Sequence, residues 1–219
     1  MIVTIDGPAG SGKSSAARAL AARLGFEFLD TGAMYRAVAF AALRDDITPA
    51  DSPEFGRWLD GLKLIATPEE LELDGQDIRD RVRTPEITAL ASQIATLGAV
   101  RHRLVELQRR AAIERSLVCE GRDQGTVVFP QAECKFFLNA DRVERARRRH
   151  RELESRGQRL TLEEVLAAQD ERDRRDAERA LAPLRPADGA IIIDSTAMSS
   201  NAVVDRMENE VRRCASLTR

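Results

Sequence analysis

The sequence predicts an α/β fold: a three-layer sandwich around a five-stranded parallel sheet, with a small antiparallel β insert. Three observations carry this. Short apolar runs of strand length alternate along the chain with stretches of helical period, the pattern of strands joined by crossover helices. The first such run is followed at once by a glycine-rich stretch, "GPAGSGKSS", Gly7 to Ser15. One region, Leu62 to Val82, breaks the rhythm and alternates apolar with polar residues instead.

In order, "MIVTI" reads as a buried strand, and "SSAARALAARLG" as a helix with Gly25 as its stop signal. "FEFLD" is a second strand and "AMYRAVAFAALRDD" a second helix. "SLVCEG", "CKFFLNA" and "GAIIIDS" repeat the buried-strand pattern, each followed by a helical stretch, with "RDQGTVVFP" intervening after Gly121. The Thr-Pro break at Thr67 and the Asp-Gly turn at Asp74–Gly75 are hairpin signals. They mark an insert over 60–84. The segment 144–161 is rich in arginine, with a glycine near its middle.

With 219 residues, the chain is long enough for a single domain with a full core. A net charge of −2 argues against general attraction to nucleic acid or anionic membrane. An aromatic content of 4% is low for stacking bases, which weighs against a nucleic-acid module built on Arg142–Arg151. No apolar run reaches membrane-spanning length, and the N-terminus lacks a basic flank ahead of an apolar signal core. Cys119, Cys134 and Cys214 have no metal-ligand spacing and fit a reducing compartment. A cytoplasmic monomer is expected.

Gly7-x-x-x-x-Gly12-Lys13-Ser14 is the P-loop pattern, set as it must be between a strand and a helix. Bare backbone lets successive N–H groups converge on an anion at a helix N-terminus. Gly7, Pro8, Ala9, Gly10, Ser11, Gly12, Lys13, Ser14 and Ser15 are therefore expected to hold a nucleoside triphosphate, which the resemblance below makes ATP. Lys13 would reach the outer phosphates, and the Ser14 hydroxyl would ligate Mg²⁺. Ligands in open α/β sheets lie beyond the carboxyl ends of strands. That rule puts Thr31 and Gly32 at one rim, with Tyr35 and Arg36 a turn into the helix. It puts Arg122 and Asp123 at another. Arg172, Asp176 and Arg179, at i, i+4 and i+7, fall on one face of one helix.

The stretches "DGPAGSGKS", "LDTGAMYR", "ASQIA…VR" (Ala91 to Arg101), "EGRDQGTVVFP", "ERDRRDAERALAPL" and "DST" (Asp194 to Thr196), in that order, resemble the bacterial cytidylate kinases of the nucleoside monophosphate kinase family. The resemblance covers essentially the whole chain. Thr31 stands where serine is common, and Arg174 where an acidic residue is frequent. The resemblance implies transfer of the γ-phosphoryl group of ATP to CMP or dCMP. It makes the 60–84 insert the CMP-binding subdomain and 144–161 a mobile lid. It also implies a residue map. Arg36 and Arg122 hold the CMP phosphate, and Ser92, Arg101 and Asp123 read cytosine. Asp176, with Arg172 beside it, takes the ribose hydroxyls, and Arg179 lies near the nucleotide. Arg148 and Arg149 close on the ATP phosphates.

Two rivals share the P-loop. A guanine-nucleotide switch would carry Asn-Lys-x-Asp, yet none of Lys13, Lys63 or Lys135 follows an asparagine. A small-metabolite kinase would need neither the hairpin insert nor "GRDQGTVVFP".

Overall fold

The computed structural model describes residues 1–155 and 157–217. Arg156, inside the expected lid, lies outside the described residues. The chain groups into two compact units, one formed by Met1–Phe28 with the chain from Leu117 onward, the other by Leu29–Ser116.

The first unit is built on a parallel sheet. Strands β1 (Ile2–Asp6), β2 (Glu27–Asp30), β6 (Leu117–Gly121), β7 (Cys134–Asn139) and β8 (Ile191–Asp194) take the order β2-β6-β1-β7-β8. The unit boundary falls within β2. Strand β1 lies between β6 and β7, with Asp6 level with Gly121 and Phe137. Covered on both sides, it is buried on both faces, with Val3 and Ile5 on one and Thr4 and Asp6 on the other. Helices α1 (Lys13–Leu24) and α8 (Ser200–Leu217) pack together over this sheet. Ala17 and Leu20 meet Phe136, Leu138, Ile193, Val204 and Met207 in one core. Gly25 closes α1 in the left-handed conformation at φ 66°, as expected of a C-terminal glycine.

The remaining helices of this unit are α6 (Arg142–Ser155) and α7 (Leu162–Glu178), which pack on each other around Ala146, Leu153 and Val165. A capping box, Thr161 with Glu164, starts α7. Two expectations need correction here. No α-helix follows β6: the connection to β7 holds only a five-residue π turn, Gln124–Val128, whose amides bond back to Asp123 and Gln124. A turn this short leaves β6 and β7 on opposite sides of β1. Arg179 is also off the helix. It caps α7 with extended ψ 136°, its amide still donating to the Arg175 carbonyl. Cys134 and Cys214 bring their sulfurs to 3.2 Å, linking the start of β7 to α8 as thiols.

The second unit holds α2 (Thr31–Arg44), α3 (Pro53–Gly61), α4 (Pro85–Ile94) and α5 (Gly98–Ala111). It also holds a small antiparallel meander of β3 (Leu64–Ala66), β4 (Leu71–Leu73) and β5 (Gln76–Asp77). Helix α2 presents Ala37, Val38 and Ala41, all buried, and packs on α4, since small side chains let helices approach closely. The β4–β5 turn is made by Asp74 and Gly75, both at positive φ (52° and 80°), as an Asp-Gly hairpin requires. Pro53 and Pro85 open α3 and α4 behind the caps Ser52 and Thr84. No described helix is long and apolar enough to cross a membrane.

Candidate functional site

In the first unit the carboxyl ends of β1, β6, β7 and β8 carry the groups that matter. The loop after β1 folds tightly. Gly7 lies so near β7 that a Cβ there would stand 2.1 Å from the Leu138 carbonyl oxygen. Gly12, at φ 88°, hands the chain into α1, so that helix starts with its free N–H groups at the loop. Lys13, its first residue, is buried, and its Nζ donates to the Pro8 carbonyl at 3.1 Å. Burial, with the neighbouring Arg122 adding to it, lowers the Lys13 ammonium to about 7. A lysine held this way is poised for an anion that would restore its charge.

Glu120, at the end of β6, is buried and was not among the residues expected from sequence. It accepts from the Ser14 hydroxyl at 2.8 Å and stands 4.0 Å from Lys13 Nζ. An acidic residue inside the apolar run "SLVCEG" was the available signal, since carboxylates are rarely buried without a task. Asp6 was missed likewise. It is 2% exposed and accepts from the amides of Gln124 and Gly125, both at 2.8 Å. Burial outweighs those bonds and pushes its carboxyl up to about 6.

Beyond β6, Arg122 donates through Nε to Asp176 at 2.7 Å, and Asp176 is 5% exposed. Burial works to raise that carboxyl, but Arg122, Arg172 and Arg179 together hold it below the ordinary range. Asp123 is buried 3.7 Å from Arg179, whose Nε donates to the Ala182 carbonyl at 2.6 Å. The structure thus places Arg122 and Asp123, from one strand end, against Asp176 and Arg179, from the end of α7. Arg174 stays outside this group, paired on the surface with Glu171 and Glu178.

On α6, Arg148 donates to the Ser195 hydroxyl (3.0 Å) and carbonyl (2.7 Å), and to Glu144 at 3.1 Å. It is therefore docked on the turn after β8, with one nitrogen 3.9 Å from where a Cβ on Gly12 would be. Arg149 points elsewhere, to Glu152 on its own helix at 2.7 Å. Arg145, not anticipated, is buried and donates to the Ala9 carbonyl at 2.9 Å. Asp173 accepts from the Ala9 amide at 3.3 Å.

In the second unit, α2 begins at Thr31 itself, with Asp30 as its cap accepting from the Ala33 amide at 2.9 Å. Asp30 also holds Arg36 at 3.2 Å and Arg83 at 3.0 Å. The Arg36 Nε is buried with no hydrogen-bond acceptor, an unmet donor on a guanidinium suited to a phosphate. Thr31 is buried beside this group. Arg101, 6% exposed, reaches the Tyr35 hydroxyl at 3.4 Å, and Ser92 is buried on α4. Ser92 and Arg101 lie on successive helices, α4 and α5, with a turn at 95–97 between them.

Ser14 and Glu120 offer hard oxygen donors side by side, a set that suits Mg²⁺, which takes one or two protein ligands and fills its octahedron with phosphate oxygens and water. Among the described residues no cluster of three or more acidic, His or Cys side chains forms a self-sufficient metal cage.

The family model described as "Cytidylate kinase" matches residues 3–213. A cytidylate kinase of Rhodopirellula baltica is 47% identical over 214 residues, covering 98% of this chain and 93% of that one. A cytidylate kinase of Geobacter sulfurreducens is 46% identical over 216 residues, 97% of this chain and 93% of its own. Among solved structures, an uncharacterized protein from Eubacterium ventriosum superimposes with a TM-score of 0.52 at 13% identity over 99% of each chain, a likeness of fold alone.

Proposed function

Because the chain belongs to the cytidylate kinase family, we propose that it moves the γ-phosphoryl group of ATP to CMP, and also to dCMP, forming ADP and CDP or dCDP. The observation that carries the reading is the near full-length match, residues 3–213, joined to a buried P-loop lysine beside a hydroxyl–carboxylate pair.

The chemistry asks little of a general base. A phosphate monoester has its second pKa near ~6, so at neutral pH the acceptor is already a nucleophilic oxyanion. What remains is to position two repelling phosphates and offset charge on the transferring group. The P-loop, Gly7 to Ser15, through its converging amides, and the Lys13 ammonium take the ATP phosphates. Ser14, with Glu120 behind it, would hold Mg²⁺, which when bound would supply positive charge to offset that of the phosphates. Arg36 and Arg122 bind the CMP phosphate through guanidinium forks. Their present partners, Asp30 and Asp176, keep each fork oriented until a phosphate takes over. Asp176 and Arg172 take the ribose hydroxyls, Asp123 with Ser92 and Arg101 reads cytosine, and Arg179 steadies Asp123. Thr31 and Tyr35 flank the acceptor phosphate. Arg148 and Arg149 leave Ser195 and Glu152 to close on the ATP phosphates, which would also exclude water from a reaction it would otherwise intercept. The substrates are free nucleotides, the protein acts as a cytoplasmic monomer, and neither nucleic acid nor membrane is a partner.

The test is a coupled assay of ADP release offering CMP, dCMP, UMP, AMP and shikimate as acceptors. CMP and dCMP should be favoured. A preference for AMP or shikimate would reassign the acceptor side.

A further inference from the structure

We propose that Arg145 and Asp173 form a positioning clamp that sets the apex of the P-loop for ATP. Residues 8–10 belong to no helix or strand, so nothing periodic satisfies their backbone. Both polar groups of Ala9 are instead taken by side chains. Its amide donates to Asp173 Oδ1 at 3.3 Å, and its carbonyl accepts from an Arg145 terminal nitrogen at 2.9 Å. The same nitrogen pairs with Asp173 Oδ2, and Arg145 Nε donates to the Ala140 carbonyl at 3.0 Å. Guanidinium, carboxylate and peptide thus form a closed ring, anchored at the end of β7.

The neighbouring residue fits against the same wall. Gly10 sits at φ +75°, and a Cβ on it would lie 2.8 Å from the Arg145 carbonyl oxygen and 3.0 Å from Gln169 Oε1. Gln169 is itself buried and bonds the Arg142 carbonyl through Nε2 at 3.4 Å. One helix of the clamp, α6, also carries Arg148 and Arg149, which face the donor in the reading above; the other, α7, carries Arg172 and Asp176, which face the acceptor.

The consequence is specific. The Ala9 amide is held outward and does not join the amides that receive phosphate. Its task is to be fixed, so that its neighbours converge before ATP arrives and ordering the loop costs less on binding. The clamp rests on the reading of ATP as donor and does not depend on CMP as acceptor.

Electrostatics and clamping predict opposite signs for Asp173, which makes the test decisive. Removing a negative charge near a phosphate site would tighten ATP if charge alone mattered. If the clamp is real, Asp173→Asn and Asp173→Ala weaken it, by about tenfold, the scale of one lost hydrogen bond to a charged group. MgATP should be titrated calorimetrically into the parent, both Asp173 variants, Arg145→Lys, Arg145→Ala and the double alanine variant. Melting temperatures are measured alongside, with KM for ATP and for CMP. The clamp predicts that the Kd and KM for ATP rise while the KM for CMP stays within about twofold. It also predicts that the double variant is no worse than the worse single, since half a clamp does nothing. Unchanged or tighter ATP binding in a folded Asp173→Asn would overturn it. So would parallel rises in both KM values, or additive losses in the double variant. Where an alanine variant fails to fold, Asp173→Asn and Arg145→Lys decide alone. A parent that binds MgATP but does not use CMP would leave the clamp standing and remove the acceptor assignment.

Discussion

ATP binding should draw a proton onto Lys13. In the unliganded protein this ammonium is lowered to about 7, first by burial and then by Arg122. A triphosphate set against it favours the charged form and raises it again. At pH 8 the free lysine is about 90% neutral and the bound one almost fully charged, so each ATP takes up about 0.9 proton from buffer, and about 0.5 at pH 7. Affinity should then fall by up to about 50-fold between pH 7 and 9, the limit in which the bound lysine stays charged, as protonation becomes part of the cost of binding. The assay is MgATP titration at pH 8 in buffers of differing ionisation enthalpy, where the slope of observed enthalpy gives the proton count. Lys13→Met should bring it to zero. A parent enthalpy independent of buffer would refute the reasoning and mean that Lys13 is already charged in its pocket. The same depression has a stability sign. Below about 7 both folded and unfolded lysines are charged, and the burial penalty is fully present. Between about 7 and the ordinary 10.5 the unfolded chain holds a proton that the folded one lacks. Stability therefore rises with pH across that window, and Lys13→Met should flatten the rise.

Four further outcomes follow from named contacts. Lys13→Met should cut single-turnover CDP formation roughly 10³–10⁵-fold, the scale of a comparable transition-state cation, without lowering the melting temperature. Gly7→Ala drives a Cβ into the Leu138 carbonyl; a loss of about 1–3 kcal/mol, or roughly 3–10 °C in a chain of this size, should appear in a thermal melt. Asp176→Ala leaves Arg122 without its 2.7 Å partner and should reduce kcat/KM for CMP more than for dCMP, which lacks the 2′-hydroxyl; equal losses would limit the carboxylate to orienting Arg122. Asp123→Asn should shrink the preference for CMP over UMP, set by about 1–3 kcal/mol per good base contact, because an amide can turn its N–H₂ toward the uracil carbonyl.

The sheet was legible because its strands read as short apolar runs, from "IVTI" to "III": β6 is buried throughout and β1 from Val3 onward, and even edge strand β8, with Ile192 exposed, keeps the pattern. The P-loop was legible because glycine positions and a fixed lysine spacing encode its backbone locally. What escaped was long-range and polar. Glu120 stands 106 residues from Ser14, and Asp173 stands 164 residues from Ala9. Neither partnership leaves a periodic trace. Arg145 looked like one more arginine in a solvated run, while the fold turns it inward onto a main-chain carbonyl and leaves Arg151 and Arg147 outside. Helical spacing carried Arg179 onto a face it does not share, since the helix stops one residue before it. The missing helix after β6 has a physical reason too: Asp6 takes the Gln124 and Gly125 amides and folds that segment back on β1 as a π turn.

The central claim is that the γ-phosphoryl group of ATP arrives on CMP. Incubating the protein with Mg²⁺, ATP labelled in the γ-phosphoryl group and CMP, then separating the products, tests it most directly. The account predicts label in the β-position of CDP with ADP in equal amount, at a rate well above that with UMP. Label in inorganic phosphate alone, or on AMP or shikimate in preference to CMP in the same mixture, would contradict it.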